Sequence, residues 1–460
     1  MNRARVRIAV AAALAPLPAL AALAPLLALP VLVLLLALPA LARAERIVLT
    51  GATVHTAAGT TYTDAVVLID GDRIEAVGDD VAVPPDAKVV DCRGKHIYPG
   101  LVSANTVLGL TEIMSVTGTN DYQETGTLNP NIRAETGINP ESELLPVTRL
   151  NGVTSALVVP RGGSISGTSA LIHLTGWTYE DMTIKAPVGL HVQWPGARAM
   201  RPGAAPVRPD EEQKKARDQA IAAIKQAFDD ARAYWKARRA EGEVGIPRHD
   251  RDVKWEAMNA ALRGEIPVFI HATTLEQIQG ALKFVDEQKL KRVVLVGGFD
   301  SWRVADSLKA RGIAVVTGPI LALPRRGYES YDQAFTLPAK LAAAGVKFCI
   351  SDGGSPFSAP NARNLAYHAA MAAAFGLPRE EALRSVTLYP AEILGADKMV
   401  GSLEPGKYAD LVVADGDLLE ETTRVEQVWI NGAPVPMESR QTRLFEKYDG
   451  RPRKPARGGR

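Results

Sequence analysis

The sequence predicts an α/β chain: a (β/α)8 barrel with a small β-sandwich built from N- and C-terminal segments. Three observations support this. Strand-like and helix-like patterns alternate through the middle of the chain. β-rich runs with hairpin signals sit near both ends. The length, 460 residues, suits one large barrel plus a minor domain. Hydrophobic residues make up 47% and charged residues 23%, an ordinary globular balance. The net charge of +2 gives no reason to expect nucleic acid or an anionic membrane surface as a partner.

Residues 1–44 read as an export signal outside the fold. Arg3, Arg5 and Arg7 form a positive start, and residues 8–42 are rich in Ala, Leu, Pro and Val. Ala42-Arg43-Ala44 places small residues at the two cleavage-determining positions before Glu45. The apolar stretch is long enough to cross ~30 Å of hydrocarbon. However, Pro16, Pro18, Pro25, Pro30 and Pro39 weaken a single straight spanning helix. The expectation is a Sec signal peptide and a periplasmic protein, touching the membrane only through the signal segment if that stays uncleaved.

The first part of the sandwich is expected over 45–97. Residues 47–49 and 66–69 are β-rich, Asp70-Gly71 marks a hairpin, and alternation resumes at 73–77. The second part is expected over 396–438, where β texture returns at 409–414 and 425–430 before Asn431-Gly432. Between them, 98–395 holds eight strand candidates: 97–104, 155–159, 170–173, 188–192, 267–270, 293–296, 313–316 and 346–350. Eight strands close a barrel, and strand–helix alternation at this spacing demands parallel pairing. A doubly wound open sheet is the alternative.

Local signals support the helices between these strands. Thr274-x-x-Gln277 is a capping box ahead of Leu275, Ile278 and Leu282 on one face. Asp300 or Ser301 is expected to cap the helix carrying Val304 and Leu308, which Gly312 closes. A longer helix starts at Asp210, presents Ile221, Ile224, Phe228, Ala231 and Trp235 as one stripe, and ends at Gly242. Residues 439–460 read as a tail, with the Arg/Pro/Gly-rich 451–460 disordered. Cys92 and Cys349 lie inside apolar strand-like runs and are expected to be buried free thiols.

Two runs carry a specific likeness. Pro99-Gly100-Leu101-Val102-Ser103-Ala104-Asn105-Thr106-Val107 has the spacing of a first-strand motif, PG-hydrophobic-hydrophobic-D-x-H-x-H. Gly401-Ser402-Leu403-Glu404-Pro405-Gly406-Lys407-Tyr408-Ala409-Asp410-Leu411 follows the return-strand pattern G-x-L-x-x-G-K-x-A-D-hydrophobic. Thr387, Pro390-Ala391 and Gly395 fit the T-x-x-P-A-x-x-x-G helix before it. On these runs the chain, over roughly 46–435, resembles the amidohydrolase superfamily, its imidazolonepropionase-like group in particular. The resemblance implies a TIM barrel, a small-molecule substrate or ligand, and divalent metal, zinc above all, at the C-terminal ends of the strands. There the metal would acidify a water, a strand-8 Asp would take its proton, and the resulting hydroxide would attack a C–N-bonded carbonyl.

Mapped residue by residue, the resemblance leaves the site incomplete. Ser103 stands where the motif has Asp, and Asn105 and Val107 stand where it has the two His. Val107 cannot coordinate metal. Strand 5 keeps His271, strand 6 has glycine at 297–298 in place of His, and strand 8 keeps Asp352. His271 and Asp352 are therefore the expected metal ligands, with Asp352 also the catalytic proton acceptor. Asn105, His191 and Arg161 are expected to line the cleft, and Lys185 and Lys347 fall off the strand-4 ligand position. Arg161 opens a Gly-rich loop of the kind that can hold an anion. His55, His96, His173, His249 and His368 lack ligand-like spacing. A catalytic zinc wants three protein ligands, so the ion is expected to bind weakly or not at all. Two functions follow: hydrolysis of a non-peptide or small-peptide C–N bond, or an inactive relative binding a ligand or protein.

Overall fold

The computed structural model describes residues 46–196 and 210–451, apart from 244, 247 and 249. The expected signal segment, His249 and residues 452–460 lie outside the described residues. Among the described residues no helix is long and apolar enough to cross a membrane.

The β-rich part is one hydrogen-bonded sheet folded over its own core. Its N-terminal strands are β1 (Arg46–His55), β2 (Thr61–Asp70), β3 (Arg73–Gly78), β4 (Lys88–Asp91) and β5 (His96–Pro99). β1 carries register shifts around Gly51 and pairs with β2, β4 and β5, which lets the sheet fold over. Gly51 has φ +78, and an ideal Cβ there would sit 2.4 Å from Arg93 Cγ. The Asp70-Gly71 signal is a real hairpin, with Asp70 opposite Arg73. From the far end of the chain come strands at Leu411–Ala414, Val425–Ile430 and Ala433–Pro434, in the order expected for a returning segment. Ile47, Leu49, Val67, Ile97, Leu411, Val413 and Trp429 fill the shared core.

Gly100 joins the two parts. An ideal Cβ at this position would lie 2.0 Å from Thr154 Oγ1, so only glycine lets the chain pass from β5 into β6 (Leu101–Thr106). Gly100 N donates to Asp410 O at 2.9 Å, and Asp410 Oδ1 accepts from Asn431 N at 2.9 Å. The two motifs recognised in the sequence therefore meet in space.

The barrel wall continues through β7 (Val153–Val158), β8 (Ile165–Thr168) and β9 (Ala170–His173). It is completed by β10 (Thr183–Lys185), β11 (Leu190–Gln193), β12 (Val268–Ala272), β13 (Val293–Gly297), β14 (Ala314–Thr317) and β15 (Phe348–Cys349). β11 to β15 pair in parallel, as does β6 with β7. The third wall position departs from the expectation. β9 is antiparallel to β7, and β8 is antiparallel to β11. The reason is chain length. Only residues 159–169, which include β8, separate β7 from its partner β9, fewer than the dozen or more that a parallel crossover needs. Between β15 and β6, residues 385–386 bridge the wall: Ile350 N donates to Ser385 O at 3.0 Å and Val102 N to Val386 O at 2.8 Å.

Side chains alternate across these strands. Val102, Ala104, Leu157, Leu171, Phe269, Val294, Val296, Val316 and Cys349 pack together, while Val268, Ile270 and Leu295 join the cluster shared with the helices. The long helix spans Asp210–Ala240. Its stripe buries Ile224, Phe228 and Ala231 completely, with each large apolar side chain contributing roughly 1.5–3 kcal/mol. The Thr274–Gln277 capping box forms as expected. Asp300 does not cap its own helix. Its Oδ2 accepts instead from Leu275 N at 2.9 Å and pairs with Arg326 at 2.6 Å, tying two loops together. The expected tail also begins with order: Ser439 caps a helix over Arg440–Asp449 through a box with Thr442.

Candidate functional site

The site lies where β6, β11, β12 and the segment after β15 end together. On β12, Phe269 and His271 share one face. On the neighbouring β11, His191 is in register with Phe269 and stacks on it, with centroids 4.7 Å apart and planes 10° apart. This diagonal placement brings His191 Nδ1 to 2.9 Å from His271 Nε2. One of these nitrogens donates to the other. Removal from water, then the nearby Arg161 charge, hold both imidazoles well below their ordinary pKa. For His271, His191 adds to this. Both rings are neutral at pH 7.

Asp352 is buried and faces Ser103, whose Oγ donates to Asp352 Oδ1 at 3.0 Å. Its other oxygen is buried without a hydrogen-bond partner. Burial pushes the carboxyl up to about 6, against the opposing pull of Ser103 and Arg161.

The backbone at Arg161 is pinned. Its N donates to Tyr122 O at 2.5 Å, and Ser164 N donates to Thr127 O at 2.7 Å, zipping the Gly-rich loop onto residues 122–128. Gly162 and Gly163 have φ +93 and +68, and an ideal Cβ on either would fall within 3 Å of that segment. The guanidinium then reaches Asn105, with Nη2 donating to Oδ1 at 3.1 Å. Gly354 lies flat against this pair: its ideal Cβ would sit 2.2 Å from Arg161 Nη2 and 2.5 Å from Asn105 Oδ1. Burial lowers the guanidinium to about 10, with Asp352 opposing the shift, so it stays charged at neutral pH.

These residues do not make a metal site of the implied kind. Among the described residues no three His, Cys, Asp or Glu side chains gather closely enough to hold an ion. His271 and Asp352, expected as co-ligands, have separate partners: His191 for one and Ser103 for the other. Val107 is fully buried among apolar side chains. Gly297 has φ +96 and a Cβ direction 2.9 Å from Thr273 Oγ1, which leaves no room for a strand-6 imidazole. The Arg161 charge acts on His191, His271 and Asp352 alike, and it opposes a second cation among them.

The remaining candidates lie elsewhere. Lys185 Nζ donates to the carbonyls of Leu394 and Gly395 at 2.9 and 2.8 Å, and Lys347 pairs with Glu392 at 2.6 Å. His55 meets His96 at 3.0 Å, His173 lies 3.0 Å from Asp410, and His368 Nδ1 accepts from Ile320 N and Leu321 N at 3.1 Å. The sequence named Asn105, His191 and Arg161 as cleft candidates, with Asn105 at most a weak oxygen ligand and His191 a possible third metal ligand. It did not show the Ser103–Asp352 bond or the role of Gly354. The Ser-for-Asp departure at 103 was the one available signal.

A barrel with polar side chains gathered at its strand ends, joined to a folded β sheet, is an architecture that barrel hydrolases use. Residues 178–436 match the amidohydrolase family, and the chain belongs to it. Family members work with a divalent metal such as zinc on small-molecule substrates. The amidohydrolase tasK of Hapsidospora irregularis is 26% identical over 390 residues, covering 76% of this chain and 37% of that protein. An imidazolonepropionase of Rhizorhabdus wittichii is 30% identical over 160 residues, 34% of this chain and 38% of its own. The chain thus spans less than two fifths of the length of these curated relatives. Among solved structures, an amidohydrolase from Thermotoga maritima MSB8 superposes with TM-score 0.75 at 29% identity, covering 85% of this chain and 99% of that one. An adenosine deaminase from Xanthomonas campestris with bound zinc shares the fold at TM-score 0.50 and 19% identity, covering 88% and 97%.

Proposed function

We propose that this chain is an exported, periplasmic member of the amidohydrolase family that has given up the metal-hydroxide reaction and holds a small ligand at the old catalytic centre. The carrying observation is the donor set: two imidazoles bonded to each other, a carboxyl held apart by Ser103, and a fixed guanidinium beside all three. The departures at Ser103, Asn105, Val107 and Gly297 support the same reading, and the positive, apolar, A-x-A-ended start supports export. A second reading is metal-independent hydrolysis of a small C–N bond with Asp352 as general base, favoured by a carboxyl poised near neutral pH.

A hydrolysis assay on a set of N-acyl amino acids and cyclic imides, with and without added zinc, tests the proposal. Background rates in every condition are expected. Turnover that needs zinc and disappears with chelator contradicts the proposal. Zinc-independent turnover lost in Asp352→Asn selects the second reading.

A further inference from the structure

We propose that Arg161 is the anchor of a carboxylate-binding site, with its guanidinium serving as the fixed cation at the barrel end. The proposal rests on the metal-free reading above and adds the chemical class of the ligand. Arg161 has five N–H donors, yet among the described residues its side chain makes one hydrogen bond, to the neutral amide oxygen of Asn105, and its buried Nε meets no partner there. No carboxylate among the described residues forms an ion pair with it. Asp352 is close enough to be felt electrostatically, but its hydrogen bond goes to Ser103. A desolvated charge without a counter-ion is unfavourable, and an anion that enters relieves it.

The loop geometry shows that the position is built. Two left-handed glycines seat the loop on residues 122–128, and Gly354 packs its backbone directly against the guanidinium and Asn105. A carboxylate meets a guanidinium edge through two parallel N–H···O bonds. Phosphate fits less well. It brings a second negative charge next to Asp352, and His191 and His271 are neutral and add no cation. The buried, unpartnered Nε2 of His191 gives a small ligand a further polar contact in the same centre.

The test is calorimetric titration of chelator-dialysed protein at pH 7 with N-acetylglycine, its methyl ester and inorganic phosphate. N-acetylglycine is expected to bind at least tenfold more tightly than either alternative, and Arg161→Gln should lose at least tenfold. Asn105→Asp supplies the missing counter-ion from within, so it should raise the melting temperature and weaken N-acetylglycine binding at least tenfold. That variant keeps the test decisive if Arg161→Gln fails to fold. Equal binding of the ester, tighter binding of phosphate, no binding of any probe, or an Asn105→Asp protein that binds like the parent each overturns the proposal. Zinc content is measured on the same sample. A full zinc equivalent removes the metal-free reading, whereas zinc-free protein that ignores the carboxylate removes this inference alone.

Discussion

Asp352 shows how a single residue links the site to stability. Its carboxyl titrates at about 6 in the folded chain, against 3.8 for the unreacted side chain. The folded state therefore holds the proton more tightly than the unfolded state. This contribution to stability is fully present below about pH 3.8 and is lost as the pH rises through about 6. Above that, the buried carboxylate costs about 3 kcal/mol relative to its acid form. Asp352→Asn removes the charge and keeps the shape. Thermal melts should show the variant more stable than the parent at pH 8, with the gap largely closed at pH 4.5. A gap that does not change with pH would mean that Asp352 is not buried as a charge. The sequence could name this residue because strand-8 spacing survives intact. It could not foresee the Ser103 partner, which is 249 positions away in the chain and meets Asp352 only when the barrel closes.

At the level of elements, the helices and the parallel half of the barrel were legible because their signals are local. The Thr274–Gln277 box, the stripe on the long helix and the Asn431-Gly432 turn all act within a few residues. The antiparallel placement of β8 against β11 and of β9 against β7 was not legible, because Ile165–Thr168 is not an apolar run and the four-residue run Ala170–His173 looks the same in either direction. The short link from β7 decides the direction of β9. The same non-local packing limits what can be restored at the strand ends. Gly297 closes β13 with φ +96 against Thr273, so Gly297→His would strain the backbone and crowd the strand end. Urea unfolding should find this variant destabilised by roughly 1–3 kcal/mol, with no gain in zinc retention. A stable variant that acquires zinc would show that β13 can turn its end toward the site.

On the scale of the whole molecule, Cys92 sits in the core of the folded sheet and Cys349 in the barrel interior, two separate clusters. Both are free and buried, and burial pushes the Cys92 thiol up to about 11 and that of Cys349 higher still. Thiol counting on unreduced, denatured protein should therefore find two free groups, even from an oxidising compartment. A count of zero would place the two strands wrongly. Export predicts a mature chain starting at Glu45, checked by intact mass. Recovery of residues 1–44 on membrane-bound protein would contradict cleavage.

We propose that a fixed guanidinium, two mutually bonded imidazoles and an isolated carboxyl stand in place of a catalytic metal centre. Zinc analysis of protein purified without added metal and dialysed against a mild chelator tests it most directly. Far less than one zinc per chain is expected, because two ligands without a third hold an ion weakly. A retained full equivalent of zinc would contradict it.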